Sequence, residues 1–181
     1  MYRLATILRV SENMLDSRRA MQLFQHCVVE GNHPGAMFDL EHMYSDGKFC
    51  EQDFVRAVDL YQRAIQLDND ACTMFELAMI YEVGEKDVPM DVLRAMNYYQ
   101  MSIDVGQHLE AVFWLARLLI SDIMRPKRDV SRAKRLFTMY VERCEEPIPI
   151  IEICNELMYG SSNLPRDAAL AACLLQACVE R

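Results

Sequence analysis

An aspartate recurs along the chain at Asp16, Asp53, Asp91, Asp129 and Asp167, at spacings of 37, 38, 38 and 38 residues. A period of that length means similar supersecondary units in series, each unable to bury its apolar face without a neighbour. Three and four residues after the Asp come Arg19-Ala20, Arg56-Ala57, Arg94-Ala95, Arg132-Ala133 and, less faithfully, Leu170-Ala171. Offset 8 holds Phe24, Tyr61, Tyr99, Phe137 and Leu175; offset 11 holds Cys27, Ala64, Ser102, Tyr140 and Cys178. Offsets 4, 8 and 11 share one face of an α-helix. The Asp side chain suits the N-cap, where it accepts free N–H groups of the first turn. These helices are expected to stop at Gly31, Asp68, Gly106 and Cys144, Gly being suited to the left-handed position after a helix.

A second helix pattern precedes each Asp. It opens at Ala36, Thr73, Ala111 and Pro149, continues through Phe38, Phe75, Phe113 and Ile151, then Leu40, Leu77, Leu115 and Ile153, and reaches Tyr44, Tyr81, Leu119 and Leu157. Gly47, Gly84, Asp122 and Gly160 mark the turn, and Pro89, Pro126 and Pro165 stop the first helix from running on. The alanine ring lets helices approach closely. The fold class is therefore all-α: an α/α superhelix, or solenoid, of stacked helix-turn-helix repeats over residues 1–181. Its parts are a divergent first hairpin at 1–35 and repeats at 36–72, 73–110, 111–148 and 149–181. Before Asp16 neither Arg3–Ile7 nor Tyr2–Thr6 gives a Leu–Tyr pair in register.

The pattern resembles the Sel-one-like repeat, a relative of the tetratricopeptide repeat with a longer turn. The family's Ala, aromatic, Leu, Tyr, Gly, Asp, basic-Ala, Tyr and Ala positions match Ala36, Phe38, Leu40, Tyr44, Gly47, Asp53, Arg56-Ala57, Tyr61 and Ala64. The unit from Thr73 to Gly106 matches nearly as well; the next has Asp122 in place of the turn Gly, and the last has Pro149 in place of the Ala. The family's second Gly is replaced by Glu41, Ala78, Ala116 and Cys154. The resemblance implies an adaptor that assembles protein complexes. A cysteine-rich branch of the family ties each unit with a disulfide; the matching slots here are Cys27/Gly35, Ala64/Cys72, Ser102/Glu110 and Tyr140/Ile148, none a complete pair.

Function classes narrow with composition. Net charge is −8, which disfavours indiscriminate binding to nucleic acid or anionic lipid. Arg117, Arg125, Lys127, Arg128, Arg132, Lys134 and Arg135 nonetheless form a basic stretch. Its members Arg125, Lys127, Arg128, Arg132 and Arg135 are candidates for an acidic partner, with an RNA contact as a weaker reading. The seven Cys contain no C-x-x-C and sit mostly at packed small-residue positions. They read as buried reduced thiols in an intracellular reducing compartment, the cytoplasm first and the mitochondrial matrix second. His26, His33, His42 and His108 have no metal spacing, with His33 and His108 expected in solvated loops. No glycine-rich phosphate loop or nucleophile elbow occurs. No catalytic residue, metal or cofactor is assigned, and a small hydrolase on a repeat fold is the alternative.

The partners expected are other proteins. Exposed columns of the first helices are His42, Met79, Arg117 and Asn155; Ser45, Glu82, Ile120 and Met158; and Asp46, Val83, Ser121 and Tyr159. Trp114 stands in a column otherwise Asp39, Glu76 and Glu152, as a lone aromatic contact anchor. The candidate partner-binding set is His42, Asp46, Met79, Glu82, Trp114, Arg117, Asn155 and Tyr159. The last helix, AALAACLLQACVER, is apolar nearly all round, so a second protein or a second copy is expected against it.

Overall fold

A computed structural model describes residues 1–180 except 12, 48–49, 125–127 and 145–147. Ten α-helices lie among them: α1 (Tyr2–Val10), α2 (Met14–Gly31), α3 (Pro34–Asp46), α4 (Phe54–Leu67), α5 (Ala71–Val83), α6 (Val92–Gly106), α7 (Leu109–Ile120), α8 (Val130–Arg143), α9 (Ile148–Tyr159) and α10 (Ala168–Val179). The described residues contain no strand, only an isolated bridge between Glu85 and Val88. Contacts divide the chain into two units, Met1–Tyr98 and Tyr99–Arg181. In the first, α1 packs on α2, α2 on α3, α3 on α4 and α4 on α5; in the second, α7 packs on α8, α9 on α10 and α8 on α10. This is the helix-hairpin solenoid class expected from the period.

The aspartate column closes the hairpins. The Asp53, Asp91, Asp129 and Asp167 carboxylates accept the N–H groups of Arg56, Arg94, Arg132 and Leu170 at 2.9, 3.0, 2.8 and 2.9 Å. Their own N–H groups donate back across the turn, to the carbonyls of Tyr44, Tyr81, Leu119 and Leu157, at 3.1, 2.8, 3.1 and 2.8 Å. One residue thus caps the second helix and pins it to the last turn of the first. Asp16 differs from the expectation: it lies inside α2, whose N-cap is Asn13. Only three residues separate α1 from α2, too few for the long connection that the other aspartates close.

Four alanines in register, Ala20, Ala57, Ala95 and Ala133, are fully buried, as is Ala171. Above them Phe24, Tyr61, Tyr99 and Phe137 are at most 1% exposed. The last helix departs from register: Leu174 is buried whereas Leu175 is 40% exposed. Offsets 7 and 8 both border the packed face, and in an all-apolar helix the pattern cannot choose between them. The helix ends also differ. The left-handed residues are Asn32 (φ 42) and Gln107 (φ 51), one beyond Gly31 and Gly106.

The turn glycines Gly47, Gly84 and Gly160 have φ of 62, 70 and 80°. Gly84 is the tightest, since a Cβ there would stand 2.7 Å from the Met90 backbone nitrogen; at Gly160 the nearest atom would be 3.7 Å away. Where the third turn has Asp122, a 3-10 turn (Asp122–Met124) forms and the Asp122 N–H donates to the Asn163 carbonyl at 2.8 Å. Gly84→Ala is therefore expected to cost about 2–3 kcal/mol, strain plus a backbone clash, against about 1 kcal/mol for Gly160→Ala, which meets only the strain. Urea denaturation of the two variants checks the order.

Candidate functional site

Caps set the first helices as well. His33, Asp70 and His108 stand one repeat apart and accept, through Nδ1 or a carboxylate oxygen, the N–H groups of Ala36, Thr73 and Ala111 at 3.3, 2.7 and 3.4 Å. The two histidines are thus N-caps, His33 exposed as expected and His108 half-buried, and these helices begin two residues before the expected Ala36, Thr73 and Ala111. The 37- and 38-residue spacing of His33, Asp70 and His108 was the signal that could have revealed them.

A second ladder runs between hairpins. Gln25 on α2 donates to the Tyr44 hydroxyl at 3.1 Å, and Gln62 on α4 to the Tyr81 hydroxyl at 3.3 Å. Arg56 and Arg94 lie over the Tyr44 and Tyr81 rings, 5.6 and 5.4 Å from the centroids. The third unit has Leu119 in place of the Tyr, and Arg132 instead donates to Gln100 Oε1 at 2.6 Å. The sequence signal for this ladder is Gln25, Gln62 and Gln100, each nine residues after its Asp.

The basic stretch is partly consumed inside the fold. Arg128 pairs with Asp122 and donates from Nε to the Ser121 carbonyl at 3.2 Å, and Arg132 is held by Gln100. Lys134 and Arg135 are exposed, and Arg125 and Lys127 lie outside the described residues.

Of the candidate partner-binding residues, four lie in the first unit. His42 is half-buried with its ring edge-on to Phe38 at 4.8 Å, Met79 and Glu82 are half-buried, and Asp46 is exposed. In the second unit Asn155 and Tyr159 are exposed, whereas Trp114 and Arg117 are half-buried and meet. The Arg117 guanidinium lies 5.3 Å from the Trp114 ring centre and 3.6 Å from Glu156. Around them α7 and α9 form a groove of about 300 Å³ lined also by Glu110, Phe113, Tyr140, Pro149, Glu152 and Ile153. Two residues of the expected exposed columns, Ile120 and Ser121, are buried at 2% and 4%. The Ser121 hydroxyl donates to the Leu118 carbonyl at 2.9 Å, and the 3-10 turn follows directly.

Glu41 is the most unfavourably placed side chain in the first unit. It fills the column of Ala78, Ala116 and Cys154, is fully buried, and neither carboxyl oxygen has a hydrogen-bond partner. Burial, then the Glu76 carboxylate, pushes its pKa up to about 10, against the smaller opposing effect of the Tyr61 hydroxyl. The group is a neutral acid at pH 7. Among the cysteines only Cys154 is fully buried; Cys72 is exposed and the other five are half-buried, a correction to the packed-thiol expectation. None of the seven is in a disulfide, and burial pushes the Cys154 thiol up to about 11. Among the described residues no three His, Cys, Asp or Glu converge to hold a metal ion. No helix of the described residues is long and apolar enough to cross a membrane.

The fold is an α-solenoid of stacked helix hairpins. The Sel1 repeat model matches two stretches of the chain, residues 34–69 and 73–106, which are Sel1 repeats. It is 33% identical over 102 residues to the ERAD-associated E3 ubiquitin-protein ligase component HRD3A of Arabidopsis thaliana, covering 55% of this chain and 15% of that protein. Among solved structures it resembles a protective antigen of uropathogenic Escherichia coli with an SLR fold, at TM-score 0.68 and 19% identity over 99% of this chain and 37% of that one. A Sel1 repeat protein from Oxalobacter formigenes gives TM-score 0.67 and 20% identity over 99% of this chain and 71% of that one. Those two likenesses concern the fold alone. The family is generally a non-catalytic protein-interaction fold, and the repeats support a protein-interaction scaffold for this chain.

Because the folded chain keeps the Glu41 proton while the unfolded chain loses it near 4.5, Glu41's contribution to stability is present below pH 4.5 and is lost as pH rises toward about 10. Within that window each pH unit favours unfolding by up to about 1.4 kcal/mol. Glu41→Ala is expected to raise the thermal midpoint, and its lead over the parent should widen from pH 5 to pH 9. Thermal melts across that range check both.

Proposed function

We propose that the chain is a non-catalytic docking subunit of a larger protein assembly. It engages other proteins through the first-helix faces (His42, Asp46, Met79 and Glu82 on α3 and α5; Trp114, Arg117, Asn155 and Tyr159 on α7 and α9) and through apolar side chains of α9 and α10. The observation that carries the reading is the exposure of that last helix pair. Tyr159 is 84% and Val179 82% exposed, and Ile148, Ile151 and Leu175 are exposed with them. Large apolar groups in that density on one helix pair are a feature of surfaces that other proteins cover. HRD3A is by its name a component of a ubiquitin-ligase assembly, which supports membership of an assembly for a chain that matches 15% of its length. Binding to RNA through the basic stretch has less support, because Arg128 and Arg132 are spent on Asp122, Ser121 and Gln100. Seven cysteines outside any disulfide support a reducing intracellular compartment as its location, the cytoplasm ahead of the mitochondrial matrix.

Affinity purification of the tagged full chain from its native lysate, followed by mass spectrometry, tests the reading. Stoichiometric co-purifying proteins are expected, reduced severalfold by Tyr159→Ser with Val179→Ser at unchanged helicity. A chain that comes down alone, or only with itself, contradicts it.

A further inference from the structure

The groove between α7 and α9 has a chemistry that narrows what it holds; the inference rests on the docking reading above. Glu110, Trp114 and Arg117 are spaced i, i+4, i+7, on one side of α7. Glu152 and Glu156, also i, i+4, line the groove from α9. Three carboxylates and one guanidinium thus line the groove, and that guanidinium is already committed to Glu156 and to the Trp114 face. Glu110 Oε2 lies 3.4 Å from His108 Nδ1, but that nitrogen accepts the Ala111 N–H. Among the described residues neither Glu110 nor Glu152 is paired with an Arg or Lys. Beside the carboxylates the groove offers aromatic surface from the half-buried Phe113 and Trp114.

We propose that this groove docks a peptide segment of a partner protein in which a lysine or arginine stands beside an apolar side chain. The cation sits between Glu110 and Glu152, and the apolar group lies on the Trp114 surface. Arg117, held between an indole face and the Glu156 carboxylate, shows within the chain the pairing that an incoming cation would make. An acidic segment would face two uncompensated carboxylates in a half-enclosed site and is disfavoured.

Trp114 is the single tryptophan of the chain, so its fluorescence reports on this groove alone. The test is selection from a random 12-residue peptide display library on the full chain, followed by titration of the selected peptides. The expected result is enrichment of sequences with Lys or Arg next to Leu, Ile or Phe. Their binding should change Trp114 emission and weaken with salt, and Glu110→Gln with Glu152→Gln should weaken it tenfold or more at unchanged circular dichroism. Enrichment of acidic or uncharged sequences, binding without a Trp114 response, equal affinity for the double variant, or no enrichment would overturn the proposal. If proteins still co-purify with the chain after any of these results, the docking reading stands and only the assignment of this groove fails.

Discussion

Each long hairpin depends on one aspartate making two kinds of hydrogen bond. Its carboxylate takes an N–H that the start of the second helix leaves free, and its own N–H reaches the carbonyl of a residue in the last turn of the first helix. Two helices and the segment between them are thereby fixed with respect to one residue. The intervening segment varies in sequence and length, and Asp122 replaces a turn glycine in one of the units, yet the closure is the same in all four. Without it, the alanine four residues on would lose the position that lets the neighbouring helix approach.

What lies above that anchor follows from burial. The alanine column and the aromatic column eight residues after the Asp are buried in each unit, and in the first unit the Gln–Tyr contacts tie one hairpin to the next. Glu41 is the departure from this economy. A carboxylic acid occupies a position where the other units have Ala, Ala and Cys, and it is kept neutral at a cost to stability.

The period, the cap-forming aspartates at 53, 91, 129 and 167, and the buried alanines were legible because side-chain spacing and cap chemistry are local rules. What was not legible depended on turn length or on neighbours. Asp16 sits on the same period but behind a short connection, so it falls inside its helix. Leu174 rather than Leu175 packs inward because an all-apolar helix does not mark its face. Ile120 and Ser121 occupy exposed columns by register, yet they are buried where the third unit turns without glycine. The histidine caps were hidden because imidazole is an uncommon cap acceptor. Of the candidate site, Trp114 and Arg117 were singled out separately as a lone aromatic and a column residue; their meeting with Glu156 required the packing of α9 beside α7.

Within each unit, the surfaces of this chain are set by hairpins that the aspartate closures hold together. Native-state hydrogen exchange, resolved by residue, measures those closures most directly. The amide protons of Asp53, Asp91, Asp129 and Asp167 are predicted to exchange as slowly as the interiors of the helices they join. Exchange of those four protons at the rates of unprotected turns would contradict the account, because the hairpins would then be held by packing alone.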